Sequence, residues 1–406
     1  MDITTANELL LFFLRGEPDE SSPTELAQLS EPDWNAVVQQ ADRYGVASFL
    51  YQRLTAPHHK GHVPAEILQT LRTKHFTSFV RNTRLYHEAG KAFQALRQKG
   101  IPVILLKGVY LAEAVYGNIA LRPMSDVDIL VRKADLLQAE KILLELGYSS
   151  ARADDIESAC AKSQHLAPLT KYGAAAVEIH WTVVHPSCPF AIDIEGLWER
   201  ARPVVIADVE MLTLSPEDVL LHLCIYTVFH RFYRNITVFS DIRETVRCFQ
   251  GEIDWEQVRF RSRQWGAGNA VYLTLYLAKT LFGANVPDAV LDMLKPESFT
   301  PQLAAEANSL IINGPDENGV MNPYLLKLAG SKSILAVARL FVQRIFLSRE
   351  ELSEKYRIHL KPHQIFLYYF VRLKDLLIRY SRTVLRLSQR DEVATRQIHL
   401  IDWLGH

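Results

Sequence analysis

Cysteine is scarce in this 406-residue chain. The four, Cys160, Cys188, Cys224 and Cys248, stand far apart, so no Cys-x-x-Cys zinc pattern exists and no disulfide framework is implied. They read as reduced thiols, which sets the expectation of a cytoplasmic protein. Charge of one sign is also missing. With 45 Lys and Arg against 46 Asp and Glu, the net charge is −1. No whole-chain field favours DNA, and any polyanion site has to be a local patch. Long apolar runs are absent. The longest near the start, Leu9 to Leu14, is far too short to span a bilayer and has no basic residue before it. It reads as the buried face of a first helix, capped by Thr5 or Asn7. No Gly-x-Gly-x-x-Gly, P-loop or serine triad is discernible.

What is present changes character along the chain. Residues 1–98 read as a helical region, with a long helix opening at Pro64-Ala65-Glu66 and stopping at Lys99-Gly100. Residues 99–212 alternate strand and helix. Residues 213–406 read as helical again, with helices expected over 217–231, 236–250, 254–265, 268–282, 301–312, 333–346 and 363–388. The fold class expected is therefore α+β: a small mixed sheet flanked by helical N- and C-terminal regions.

The mixed segment carries the chemistry. Ile101-Pro102-Val103-Ile104-Leu105-Leu106 is a buried-strand pattern that stops at Lys107-Gly108. A helical stretch follows, and then Arg122-Pro123-Met124-Ser125-Asp126-Val127-Asp128-Ile129-Leu130-Val131. Side chains alternate along a strand, so Asp126 and Asp128 share one face and Val127, Ile129 and Val131 the other. Two carboxylates on one face repel each other unless a cation lies between them. In Val177-Glu178-Ile179-His180-Trp181 a third acid, Glu178, alternates with apolar residues, and His180 lies on its face. Gln164 to Thr170 and Val204 to Ile206 are further candidate strands, the latter at an edge.

Asp126, Asp128 and Glu178 together form an all-oxygen ligand set suited to Mg²⁺ or Mn²⁺. Gly108, at a strand-to-helix turn, is expected to let backbone N–H groups approach a triphosphate. Lys107 or Arg122 would neutralise phosphate charge, and His180 would orient substrate or add a metal ligand.

This ensemble resembles the DNA polymerase β-like nucleotidyltransferase superfamily. More narrowly, Leu106-Lys107-Gly108, Tyr116, Arg122, Asp126-Val127-Asp128 and Glu178-Ile179-His180-Trp181 are similar to an uncharacterised bacterial nucleotidyltransferase family. Weaker likeness runs through Leu220 to Leu223, His230, Asp241-Ile242 and Tyr368 to Leu373, roughly over residues 100–390. The resemblance implies a catalytic core at 99–212, metal ligation by Asp126 and Asp128, and Glu178 as third ligand and acceptor-deprotonating base. The reaction implied moves an NMP group from an NTP to a hydroxyl or phosphate of a small-molecule, glycan-precursor or peptide acceptor, with no DNA partner. One departure is clear: Val109 stands after Lys107-Gly108 where better-known members carry a serine.

Other readings stay open. The protein is alternatively a nucleotide-binding pseudoenzyme or a scaffold in a biosynthetic complex, or an Asp-x-Asp glycosyltransferase. Asp128 could be solvated on an edge strand, Arg122 a plain salt bridge and Trp181 a core residue. His222, His230 and Asp241 form either a metal site or a helix pair in which Asp241 bonds Arg234 or a histidine. Near the C-terminus Arg372, Arg379, Arg382, Arg386 and Arg390 line up on one helical side. They would attach the protein peripherally to an anionic membrane or to an acidic partner, if they are not simply solvated beside an apolar stripe of Phe366, Phe370 and Leu373.

Overall fold

The computed structural model describes residues 1–15, 29–57, 61–152, 155–229, 232, 236–313, 345–347, 349–356, 361, 364–388 and 399–405; the side chains of 229, 313, 350, 351, 354, 355 and 377–388 are outside the description. Residues 1–314 and 315–404 form two compact units.

The first unit opens with helices α1 (Ile3–Arg15), α2 (Glu31–Arg43), α3 (Ala47–Leu54) and the long α4 (Ala65–Gln98). Leu10, Leu11, Phe13 and Leu14 are buried as the apolar run requires. The cap of α1 is Asp2 rather than Thr5 or Asn7. Its carboxylate accepts from the Thr5 N–H at 2.8 Å, while Asn7 is buried and donates to Tyr44.

The mixed segment follows as β1 (Ile104–Leu105), α5 (Lys107–Tyr110) continuing into a π-helical turn at Leu111–Val115, β2 (Asp126–Leu130), α6 (Leu136–Glu145), β3 (Ser149–Ser150), α7 (Ile156–Lys162), β4 (Leu169–Thr170), β5 (Ala176–His180), α8 (Ile194–Glu199), β6 (Arg202–Ile206) and β7 (Val209–Thr213). Seven strands make one mixed sheet in the order β3-β4-β5-β2-β1-β7-β6. β2 runs parallel to β5 and antiparallel to β1. It is thus a central strand with neighbours on both sides. Val127, Ile129, Val177 and Ile179 are buried on one face, so both acid-bearing strands direct Asp126, Asp128, Glu178 and His180 to the other. β6 is the edge expected from Val204 to Ile206. Its partner β7 was not expected from the sequence pattern.

Helices α9 (Pro216–Phe229), α10 (Ile236–Cys248), α11 (Trp255–Gln264), α12 (Gly268–Phe282), α13 (Asp288–Leu294) and α14 (Pro301–Asn313) complete the first unit. Aromatic packing of Phe232 on Phe239, and of Phe239 on Phe282 at 4.7 Å between ring centroids, joins α10 and α12.

In the second unit the described helices include α15 (Arg349–Tyr356) and α16 (Ile365–Ser388). The helix expected at 333–346 lies largely outside the described residues. On α16, Arg372 is buried, so it does not stand on a solvated basic face, while Phe366 and Phe370 of the expected core stripe are 68% and 71% exposed. The side chains of Arg379, Arg382 and Arg386, and Arg390 altogether, lie outside the described residues. Among the described residues no helix is long and apolar enough to cross a membrane.

Candidate active site

The site begins with strand register. Asp128 pairs directly with Glu178 across the parallel β2–β5 ladder, and Leu130 with His180. Neighbouring residues in register project to the same side. The imidazole of His180 reaches back along that face, its Nε2 2.8 Å from Asp128 Oδ1 and 3.6 Å from Glu178 Oε2. One ligand atom each from Asp128, Glu178 and His180 lie within 4.8 Å of one another. Asp126 stands half-buried two residues earlier on β2.

Asp128 is 6% exposed, which overturns the reading of a solvated edge-strand acid. Burial pushes its carboxyl up, but the Lys107 ammonium, 3.6 Å from Oδ2, and the His180 hydrogen bond outweigh this and hold it well below the carboxylate range. Burial pulls His180 down; its bonds to Asp128 and Glu178 overcome that and raise it. Asp126 moves the opposite way from Asp128. Burial raises it, and the Asp128 and Glu178 charges raise it further. Two aspartates on one strand face thus have divergent proton affinities.

Lys107 and Gly108 divide the work of the turn differently from the expectation. The left-handed residue is Lys107, at φ +43°, a conformation that costs a non-glycine residue about 1–2 kcal/mol. Gly108 has no such φ. Its missing side chain makes room instead: a Cβ there would lie 2.7 Å from Arg122 Nη1 and 2.9 Å from Met124 Sδ. The strained backbone places the Lys107 ammonium between Asp128 and the face of Tyr226, 4.4 Å from the ring centroid.

The Arg122 guanidinium is committed elsewhere. Its Nε donates to Asp241 Oδ1 at 2.9 Å and its Nη2 to Oδ2 at 2.9 Å, and the Tyr116 hydroxyl donates to the same carboxylate. Burial lowers the Arg122 pKa, and the Asp241 charge more than restores it. Asp241 therefore pairs with Arg122 and Tyr116, across more than a hundred residues of chain. Arg234 and His230 lie outside the described residues. Trp181 is also no core residue. It is half-buried, with its indole N–H donating to Ser163 and Lys133 over its ring.

Two site neighbours, His165 and Tyr226, carried no expectation from the sequence, and a third, His222, was weighed there only as part of a metal site with His230 and Asp241. His165 bridges to His180 and lies 3.7 Å from Glu178 Oε2. His222 and Tyr226 project from α9, one helical turn apart. His222 is buried with no partner for Nε2 among the described residues, and burial, followed by the Lys107 and His180 charges, pushes it down to about 3, so it is neutral. The four-residue spacing of His222 and Tyr226 was a readable signal of a shared helix face. That this face meets Lys107 was not readable, because it depends on how α9 packs.

The family described as uncharacterised nucleotidyltransferase matches residues 30–283, more than half of the chain. The chain belongs to that family. The match runs from the start of α2 to the end of α12 and lies wholly within the first unit. It starts earlier and ends sooner than the resemblance over 100–390, leaving Tyr368 to Leu373 outside. Among solved structures, the solution structure of the antibiotic-resistance factor ANT(2'')-Ia is similar, at 15% identity over 45% of this chain and 94% of that one, with a TM-score of 0.31. No curated protein matches.

Proposed function

We propose that the β2–β5 face is a metal-dependent nucleotidyl-transfer site within a catalytic core at 99–212. The observation that carries this reading is the convergence of Asp128, Glu178 and His180 on one face, with Asp126 beside them, in a member of a nucleotidyltransferase family. The donor set fits a divalent cation that accepts carboxylate oxygen and one imidazole nitrogen, Mn²⁺ or Mg²⁺. Asp128, Glu178 and His180 would hold it, with Asp126 available for a second ion. Such a cation supplies Lewis-acid stabilisation of phosphoryl oxygens.

The chain's own groups perform the remaining tasks. The acceptor oxygen attacks the α-phosphorus of an NTP, the α–β anhydride bond breaks, and pyrophosphate leaves. Glu178 takes the acceptor proton. Lys107 faces the phosphates as the cationic group of the turn, in place of the hydroxyl that Val109 lacks. Arg122 works indirectly: tied to Asp241, it packs against the space over Gly108 and fixes the turn that carries Lys107.

A second reading, a nucleotide-binding module without turnover, draws support from one contact. Lys107 and His180 already neutralise Asp128, so nucleotide could bind without a metal. Glu178→Gln separates the two. With Mn²⁺ and NTP, the transfer reading expects pyrophosphate release to fall by on the order of 10²–10⁴ while nucleotide affinity changes little. A variant that changes only affinity removes Glu178 from the chemistry.

A further inference from the structure

We infer that a groove along α4 is the acceptor site and that the acceptor is a short single-stranded polynucleotide. The groove, about 870 Å³, is walled by the outer face of α4 and floored by Met124–Ser125 and Gly173–Ala175. Those two segments lead directly into Asp126 at the start of β2 and Ala176 at the start of β5. The groove therefore ends beside the candidate site.

Its chemistry is one-sided. Arg72, Arg81 and Arg84 line it, no acidic residue does among the described ones, and none of the three arginines has a carboxylate partner there. Between them the helix presents Phe76 and Val80, 53% and 56% exposed, where a soluble helix would ordinarily place polar side chains. Arg72, Phe76, Val80 and Arg84 recur every fourth residue, so they form one stripe. Arg72 and Arg84 lie about 18 Å apart along the axis at ~1.5 Å per residue. A stacked strand advances about 3.4 Å per phosphate, so the stripe matches roughly five nucleotides.

Cations at both ends of an apolar centre decide the class. A single-headed amphiphile carries its charge at one end and would leave the other arginines unmatched. A strand carries phosphates throughout and offers base faces to Phe76, the pairing of arginine and aromatic side chains that single-stranded nucleic acid uses. This agrees with the whole-chain charge of −1, because the basic surface is local. Strand binding stands on the groove alone; only the role of acceptor rests on the transfer reading above.

The test uses the full chain and fluorescein-labelled oligo(U) and oligo(dT) octamers in EDTA, read by anisotropy at 50 and 200 mM KCl. Three neutralised phosphates, at about −0.7 in log–log slope each, make the Kd rise roughly twentyfold over that salt range. Arg72→Ala/Arg84→Ala should bind more weakly and show only a roughly threefold salt effect. Phe76→Ala should weaken binding about fivefold or more at unchanged salt slope. An unchanged far-ultraviolet circular dichroism spectrum and a cooperative thermal melt report that each variant is folded. Absence of saturable binding to both octamers overturns the proposal, as does a Kd unmoved in the double-arginine variant. Preferential binding of a glutamate-rich peptide or of phosphatidylglycerol vesicles likewise overturns it. Octamer bound but not nucleotidylated when Mn²⁺ and NTP replace EDTA overturns the acceptor role and leaves the groove as a strand site. Pyrophosphate release from NTP without octamer binding rejects the groove alone.

Discussion

Arg122 and Asp241 join the segment before β2 to helix α10 by paired hydrogen bonds, with Asp241 fully buried. Removing one partner of such a pair leaves a buried charge, which costs about 3–5 kcal/mol. Asp241→Asn should therefore lower the unfolding free energy by about that amount, measured by urea denaturation. A loss below about 1 kcal/mol would show the pair to be peripheral. At this scale the carboxylates were the legible part of the site. Alternation alone placed Asp126 with Asp128, and Glu178 with His180, each pair on one face of its own strand; the β2–β5 ladder brings the two pairs to the same side of the sheet. Arg122 was legible as a functional cation only in type. Its partner is remote in sequence, and no local pattern reports which of two distant charges meet. Gly108 carried a signal that something comes close, but not that the close group is Arg122 and Met124 rather than a phosphate.

Helix α4 is tied to the β4–β5 turn by Glu88, whose carboxylate accepts from Lys171 at 2.9 Å and from Lys91 at 2.6 Å. These bonds hold its carboxyl down at about 2 from an ordinary 4.5. A depressed carboxylate contributes stability that is present above its unfolded value and lost as pH falls through the folded one. The melting-temperature gap between wild type and Glu88→Gln should accordingly be open at neutral pH and close between about pH 4.5 and 2. A gap that is constant with pH would contradict the tie. The β6–β7 hairpin makes a second element-level case. Its two-residue turn, Ala207 and Asp208, has both residues left-handed at φ +50° and +61°, the geometry that a tight hairpin twist requires. Glycine pays no Cβ penalty there, so Ala207→Gly should stabilise the chain by up to about 1 kcal/mol in urea denaturation; destabilisation would mean that the Ala207 methyl group matters for packing. The same turn explains why β7 was hidden. Without Asn-Gly or Asp-Gly, nothing in the sequence announced a hairpin after Ile206. By contrast α12 was readable to the residue, from Gly268 to Phe282, because an apolar helical run there ends at a left-handed glycine, Gly283.

Over the whole molecule, the family match, the sheet and the candidate site all fall within the unit of residues 1–314. Helices before and after the sheet belong to the same match, and α9 contributes His222 and Tyr226 beside Lys107. The division into helical, mixed and helical stretches was legible from changing periodicity. Packing across those stretches was not, since it depends on which helix face meets which strand end. The central claim is that the buried carboxylate charge of Asp128 is the anchor of a divalent cation in nucleotidyl transfer. Pyrophosphate release from each NTP with Mn²⁺, by purified wild type and Asp128→Asn side by side, tests it most directly. The account predicts metal-dependent release by the wild type and none above background by the variant, with the far-ultraviolet circular dichroism of the two unchanged. Release by Asp128→Asn at near the wild-type rate would contradict it.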